Sequence, residues 1–340
     1  MKAVVWTKYG PPDVLELREV EKPVPKDNEL LIKIMATTVT AGDCETRRMD
    51  FPWYLGLPMR AWLGLLKPKE GSILGTELAG MVEAAGKDVT QFKVGDKVFG
   101  AVGMGLGTNA EYITLPEKGG DMGGGVAIMP SNMDYEKAAT VPFGGRDALH
   151  FLRLGDIRPG QKLLINGAGG SIGTFAVQLA KNMGAEVTAV DSAAKLEMLA
   201  SLGADEVIDY TREDFRDNGV IYDVIFDVVG TLSLAACAAS LAPDGTYLLA
   251  NPLRGQFVRG PWHGLRSSHK VVMQTASGTA EDLVYLRELV EQGKLQTVID
   301  RVYALEEIVE AHRYVETGAK MGNVVITIAH DDKAREGSGA

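Results

Sequence analysis

Residues 162–173 constrain the fold more than any other stretch of the chain. Lys162-Leu163-Leu164-Ile165-Asn166 is a continuous apolar strand run. Gly167-Ala168-Gly169-Gly170-Ser171-Ile172-Gly173 follows it, and Ile172, Phe175, Ala176, Leu179 and Met183 then recur at helical spacing. A strand, a glycine turn and a helix in that order form the opening of a βα unit. Glycines there allow a tight turn and close approach of the backbone to a phosphate. The free N–H groups near Ser171 and Ile172 can bind an anion. Gly173 removes a side chain where the helix meets the sheet. A second strand run, Val187–Val190, leads into Asp191, 18 residues past Gly173. That is close to the spacing of about 20 at which an acid accepts ribose hydroxyl bonds. The whole arrangement predicts a dinucleotide site. S-adenosylmethionine also uses a glycine turn and an acid, but the β-rich segment before the motif and the helix-strand return after it fit that class poorly.

Around this unit, strand and helix runs alternate. Val207-Ile208, Val224–Phe226, Tyr247–Ala250 and Val271–Met273 bring the strand runs to six, and Lys195–Leu202 reads as a helix. Apolar strands of this kind belong in a parallel sheet covered on both faces. The first part of the chain has a different texture. Met1–Trp6, Leu30–Ala36, Leu78–Ala85, Val94–Gly100 and Ala110–Leu115 are short strand runs between glycine and proline turns. Two stretches interrupt them: the aromatic, proline-broken insert Phe51–Ser72, and the loop Glu117–Gly125, with five glycines in nine residues. Glu281–Gln292 and Leu305–Thr317 read as amphipathic helices and Asn323–Ile328 as a strand. The expected fold class is α/β: a β-rich domain (1–129 and 276–330) with an inserted doubly wound domain (130–275) and a flexible polar tail (331–340). A chain of 340 residues has room for about two such domains.

Composition narrows the partners. The net charge is −10, which argues against nucleic acid or anionic lipid as the main partner. Two cysteines, Cys44 and Cys237, cannot build a disulfide framework or a four-cysteine zinc site. No segment is apolar for long enough to span a membrane, and no apolar leader precedes the first strand. A cytoplasmic location is expected.

The stretch Gly160–Gly173, with Gln178 and Lys181, resembles the quinone oxidoreductase signature of the medium-chain dehydrogenase/reductase superfamily. Ser171 departs from it, standing where a second consecutive glycine is usual; its hydroxyl could serve a phosphate. Gly75–Gly80, Val94–Phe99, Ala138–Pro142, Asp223–Gly230 and Gly322–Val325 resemble further landmarks of the same superfamily. The resemblance implies a GroES-like catalytic domain around a Rossmann domain, an NAD(P)H cofactor and possible pairing into a homodimer. Zinc-dependent members hold their metal with Cys, His and Cys. The matching positions here are Thr40, Thr76 and about Phe143, none of which is a good ligand. Cys44 stands four residues beyond Thr40 with no His or Cys near it in sequence, and no metal is expected.

Without a Lewis acid to acidify a hydroxyl, reduction of a quinone or enone is the easier chemistry, because the acceptor's conjugation spreads the arriving charge. The substrate expected is a small hydrophobic carbonyl or quinone. Candidate catalytic residues are Thr40 and Asp43, at positions that face the nicotinamide in the superfamily, and Tyr54, in the insert, which would act as a hydrophobic lid. The expected cofactor site comprises Gly167, Gly169, Gly170, Ser171, Ile172, Gly173, Asp191 and Ser192. Lys195 and Tyr210 resemble residues that grip an adenosine 2′-phosphate. Val229 and Gly230 resemble a rest for the nicotinamide riboside, and Asn323 matches a polar position near the cofactor. Asp191 against Lys195 predicts use of either cofactor, with NADH modestly favoured. Two other readings stay open: a metal-free alcohol dehydrogenase, and a nucleotide-binding regulatory protein without turnover.

Overall fold

A computed structural model describes residues 1–51, 53–103, 105–119, 124–251, 269–274 and 276–330. Part of the glycine-rich loop expected at Glu117–Gly125, His263 and the expected tail at 331–340 lie outside the described residues.

The chain begins with a two-stranded antiparallel ribbon, β1 (Lys2–Trp6) and β2 (Leu15–Glu19). β3 (Glu29–Val39) is the long central strand of the first half. Two helices follow it, α1 (Ala41–Arg48) and α2 (Trp53–Leu63). Then come β4 (Glu77–Ala85), β5 (Lys97–Ala101), β6 (Tyr112–Pro116) and β7 (Gly125–Ile128). The aromatic insert is therefore helical at its centre, with Pro58 inside α2. Pro58 removes one N–H from the helical ladder, and the helix continues past it.

α3 (Tyr135–Ala139) and α4 (Val141–Leu154) lead into the motif: β8 (Lys162–Asn166), the turn, and α5 (Ser171–Asn182). β9 (Glu186–Asp191), β10 (Glu206–Asp209), β11 (Tyr222–Asp227), β12 (Leu241–Leu249) and β13 (Lys270–Met273) complete a six-stranded sheet in the order β10-β9-β8-β11-β12-β13. Every pairing in it is parallel. In strand sequence this is 3-2-1-4-5-6, the doubly wound order, whose direction reverses between β8 and β11. Ligands of such sheets lie outside the carboxyl ends of the strands at that reversal.

After the helix Ala280–Glu291, β14 (Ile299–Ala304) runs parallel to β15 (Asn323–Thr327). β15 pairs antiparallel with β3, Val324 opposite Val39. The chain thus returns to its first sheet, a seven-stranded assembly ordered β14-β15-β3-β4-β5-β7 with β6 on β3. The short elements β2, β7, β14 and α1 carry too little periodicity to stand out in sequence.

One apolar core lies between the parallel sheet and its helices. Phe151 of α4, Phe175 of α5 and Phe226 of β11 are buried in it, with the Phe151 and Phe226 rings 5.3 Å apart. Leu283 and Leu286 of the helix Ala280–Glu291 join the same cluster. Each such side chain contributes about 1.5–3 kcal/mol on burial. A second core, with Trp6, Ile32, Leu78 and Val324, fills the first half.

Candidate active site

The glycine turn sits at the carboxyl end of β8, beside the end of β11. Gly167 has φ +80°, and a Cβ there would come 2.2 Å from Cγ2 of Val229. A Cβ on Gly173 would meet the Gly167 carbonyl at 2.4 Å. Gly170 differs from both. It caps α5 with an extended backbone, and a Cβ on it would find only the Gly167 carbonyl, at 3.7 Å. Its Cα therefore opens onto free space at the N-terminus of α5, where N–H groups lack helical partners. That space is the cradle the motif requires, and its chemistry suits a pyrophosphate.

Asp191 ends β9 and shapes the turn. Its Oδ2 accepts the Gly169 N–H at 2.8 Å, and its Oδ1 accepts the Ser192 N–H at 2.8 Å. Lys195 Nζ lies 3.1 Å from the same Oδ1, and both side chains are less than a tenth exposed. A lysine four residues past the strand end would ordinarily be expected to reach into solvent. Burial against the turn corrects this: a Cβ on Gly169 would come 2.4 Å from the Lys195 stem. A carboxylate offers about four acceptor sites, and the Gly169 N–H, the Ser192 N–H, Lys195 and, at 3.4 Å, the Ser192 hydroxyl occupy them, so a ribose hydroxyl would bind by displacing one of the last two. Tyr210 is exposed, and its N–H donates to the Asp191 carbonyl, so it stands next to the pair.

Ser171 is engaged rather than free. Its Oγ donates to the Gly322 carbonyl at 3.1 Å and accepts from Lys320 Nζ at 2.8 Å. The Gly322 N–H donates to the Gly169 carbonyl at 2.8 Å. The segment before β15 is thus laced to the glycine turn. Sequence reasoning missed Lys320. It is buried, donates also to the Gly322 carbonyl, and has no carboxylate within ion-pair distance among the described residues. Burial first, then the Lys195 charge, lowers its pKa to about 8. A cation at the positive end of a helix dipole is unfavourable until an anion joins it.

Asp227, at the end of β11, was noticed only as part of a landmark, yet it organises the opposite wall. It is fully buried and accepts from Asn166 Nδ2 (2.8 Å), Gly230 N–H (2.9 Å), Leu232 N–H (2.9 Å) and the Tyr247 hydroxyl (3.0 Å). These bonds fix the Val229-Gly230 segment, with Gly230 at φ +77° and Val229 half exposed over the turn. Asn323 follows Gly322, whose N–H bonds to the glycine turn. It is buried, and both its backbone N–H and its Nδ2 donate to the Val298 carbonyl.

Thr40 and Asp43 are brought together as the capping box of α1. Asp43 N–H donates to Thr40 Oγ1, and Asp43 Oδ2 accepts from both the Thr40 N–H (2.8 Å) and the Thr40 hydroxyl (2.7 Å). Burial raises the Asp43 pKa to about 6 against these bonds. Tyr54, one turn into the insert, lies edge-on to Trp53, with centroids 5.9 Å apart. A fourth buried acid, Glu77, stood in sequence only as part of the Gly75–Gly80 landmark. Its carboxylate accepts from the Thr38 hydroxyl and, at 2.7 Å, from the Phe143 N–H in the first turn of α4. Burial raises it to about 8, with Asp43 and Asp147 adding to the shift. Glu77 ties β4 to α4 across the junction of the two halves.

Thr40, Thr76 and about Phe143, the positions the resemblance sets against the zinc ligands, do not fit the metal. Cys44 does have a histidine partner: its Sγ lies 3.3 Å from His312 Nδ1, on the helix Ile308–Glu316. Burial pushes the thiol up to about 12 and the imidazole down to about 3, so both are neutral. No group of three or more His, Cys, Asp or Glu side chains placed to hold a metal occurs among the described residues.

Residues 26–120 match the family described as Alcohol dehydrogenase GroES-like domain, and residues 202–326 the one described as Zinc-binding dehydrogenase. The chain is 33% identical over 341 residues to a 2-methylene-furan-3-one reductase of Solanum lycopersicum, covering 96% of this chain and 79% of that one. It belongs to the medium-chain dehydrogenase/reductase superfamily, in its zinc-independent, quinone oxidoreductase-like branch. A second relative of the branch, the chloroplastic NADPH-dependent alkenal/one oxidoreductase of Arabidopsis thaliana, is 30% identical over 339 residues, with 96% and 79% covered. The quinone oxidoreductase structure from Coxiella burnetii superposes with a TM-score of 0.85 at 27% identity, over 97% of this chain and 99% of that one. Membership accounts for the strand order, the return of β15 to β3, and the glycine turn between the two halves.

Proposed function

We propose that the chain reduces a quinone, enone or related conjugated carbonyl with NAD(P)H and without a metal. The observation that carries this reading is the open cradle at Gly170, at the reversal point of the parallel sheet, walled by Asp191 on one side and the Asp227-held Val229-Gly230 segment on the other. Bound there, NAD(P)H supplies the hydride. Gly167 to Gly173 receive the pyrophosphate, Asp191, Ser192, Lys195 and Tyr210 the adenosine ribose, and Val229 and Gly230 the nicotinamide end. Relatives named for alkenals, furanones and quinones support the acceptor class.

Thr40, Asp43 and Tyr54 would line the acceptor side. The capping box holds Thr40 and Asp43 in one fixed geometry, which favours orientation over proton transfer. Asp43 and Glu77 together keep a proton in the buried acid cluster near neutral pH, available to the junction of the two halves.

The reading is of either cofactor. The expected modest preference for NADH gains nothing from the structure, since Lys195 neutralises much of the Asp191 charge. A cytoplasmic location, the division into domains near residues 130 and 275, and a homodimer through β13, which ends the parallel sheet, belong to the same proposal.

Oxidation of NADH and NADPH against a panel of 1,4-benzoquinones and alkenals tests it. Turnover with such acceptors is expected. Tight nucleotide binding with no turnover would replace it with the regulatory reading. Alcohol-dependent NAD+ reduction that survives chelator would replace it with the alcohol dehydrogenase.

A further inference from the structure

A surface helix normally turns its polar residues to water. α2 does the reverse. Its exposed positions are Trp53, Leu55, Leu57, Pro58, Ala61 and Trp62, and the turn beyond it exposes Leu65 and Leu66. Trp53 is 77% exposed and Leu66 92%. Six of the large exposed apolar side chains fall within these 14 residues, whereas the others in the described structure are scattered. Single exposed apolar residues need no explanation, but a contiguous set marks an interaction surface.

The charges around the patch identify what covers it. Between Phe51 and Lys69 there are three cations, Arg60, Lys67 and Lys69, and no acid, with Asp50 and Glu70 at the two borders, so the stretch 50–70 is net positive by one in a chain of net charge −10. Arg60 folds back over the Tyr9 ring, 4.5 Å from its centroid, and donates to the Leu65 carbonyl, which leaves the helix face itself without charge. Lys67 and Lys69 are exposed beside Leu65 and Leu66. A second copy of the chain would bring a second set of the same cations into one contact, which an anionic headgroup layer does not. An apolar helix with a tryptophan at each end, a leucine tip and flanking lysines suits the headgroup layer of an anionic bilayer.

We infer that α2 and the Leu65-Leu66 turn dock this protein peripherally on an anionic lipid surface. The acidic total charge led sequence reasoning away from lipid. The local patch carries the opposite sign, and within a Debye length of about 10 Å the local charge dominates. Conjugated carbonyls with apolar tails concentrate in bilayers, which is the use such docking would have. The inference concerns binding and stands whether or not the proposed turnover is found.

Flotation of the full chain with vesicles tests it, comparing phosphatidylcholine alone with an equal mixture of phosphatidylcholine and phosphatidylglycerol. Binding to the anionic mixture is expected, weakening at high salt. The pair Leu65→Ser and Leu66→Ser should weaken it at least tenfold, and so should Lys67→Glu with Lys69→Glu, with melting temperature unchanged. All four side chains are exposed, so the variants should fold. A blue shift of tryptophan fluorescence on the anionic vesicles, diminished in Trp53→Ser, is the second readout. Failure of the wild-type chain to float with the anionic mixture would overturn the inference, as would flotation indifferent to all these substitutions. A dimer that Leu65→Ser with Leu66→Ser converts to a monomer, without any vesicle binding, would assign the face to a second copy instead.

Discussion

Lys195 reaches back one turn to within 3.1 Å of the Asp191 carboxylate, and the two are buried together against the Gly169 backbone. A lone Asp191 would repel a 2′-phosphate of about −1.5 to −2 charges. With Lys195 in place, the pair presents little net charge, and the lysine can serve a phosphate if the pair opens. Removing one partner leaves the other uncompensated. Asp191→Ser should therefore shift the affinity ratio toward NADPH by about tenfold, or about 1.4 kcal/mol. Lys195→Met should shift it toward NADH. Fluorescence titration with both cofactors checks the two directions, and shifts of the same sign would show that Tyr210 or the turn backbone decides the matter.

Gly170 and Gly167 should respond differently to a side chain. Gly170 has room and an ordinary φ of −89°. Gly170→Val should fold, losing about 1 kcal/mol at the cap, and fail to bind nucleotide because the side chain fills the cradle. Gly167→Val meets Val229 and a left-handed backbone, so it should lower the melting temperature first. Unchanged nucleotide affinity in folded Gly170→Val would remove the cradle from the cofactor site.

Lys320 should matter to the diphosphate and not to the base. Lys320→Met is expected to weaken ADP and NAD(P)H about tenfold or more, while adenosine is unaffected, and Lys320→Arg should recover part of the loss. Calorimetric titration with ADP and adenosine separates this from a structural role. A purely structural lysine would affect both ligands alike.

Glu77 gives the protein a pH signature. Its folded pKa, about 8, lies above the ordinary carboxylate value. The folded state then holds a proton that the unfolded state has released, so this contribution to stability is complete below about pH 4.5. It is lost as pH rises towards 8, at no more than about 1.4 kcal/mol per pH unit. Glu77→Gln should flatten the decline in melting temperature between pH 6 and pH 9. It keeps an acceptor for the Phe143 N–H, so it should fold. A wild-type melting temperature constant over that range would show that Glu77 is ionised throughout.

The sequence by itself determined the parallel sheet, the glycine turn and Asp191, because each is written in local periodicity or fixed spacing. Strands and helices bury opposite faces at periods of 2 and 3.6 residues, and a turn requires particular backbone freedom within a few positions. What surrounds the turn was decided only in three dimensions. Lys320 meets Ser171 across 149 residues, Cys44 meets His312 across 268, and Glu77 meets Phe143 across 66. Nothing in the local pattern of either partner announces the other. The first two contacts exist because β15 returns to β3 and closes the chain on itself, and the third because α4 packs against β4. The same closure buries acids and a lysine that sequence alone would leave in water, and burial, not residue type, sets their charge. The aromatic insert was legible as apolar, but not that α2 leaves its apolar face open: composition reports a sum, and only the fold says which side chains are left facing out.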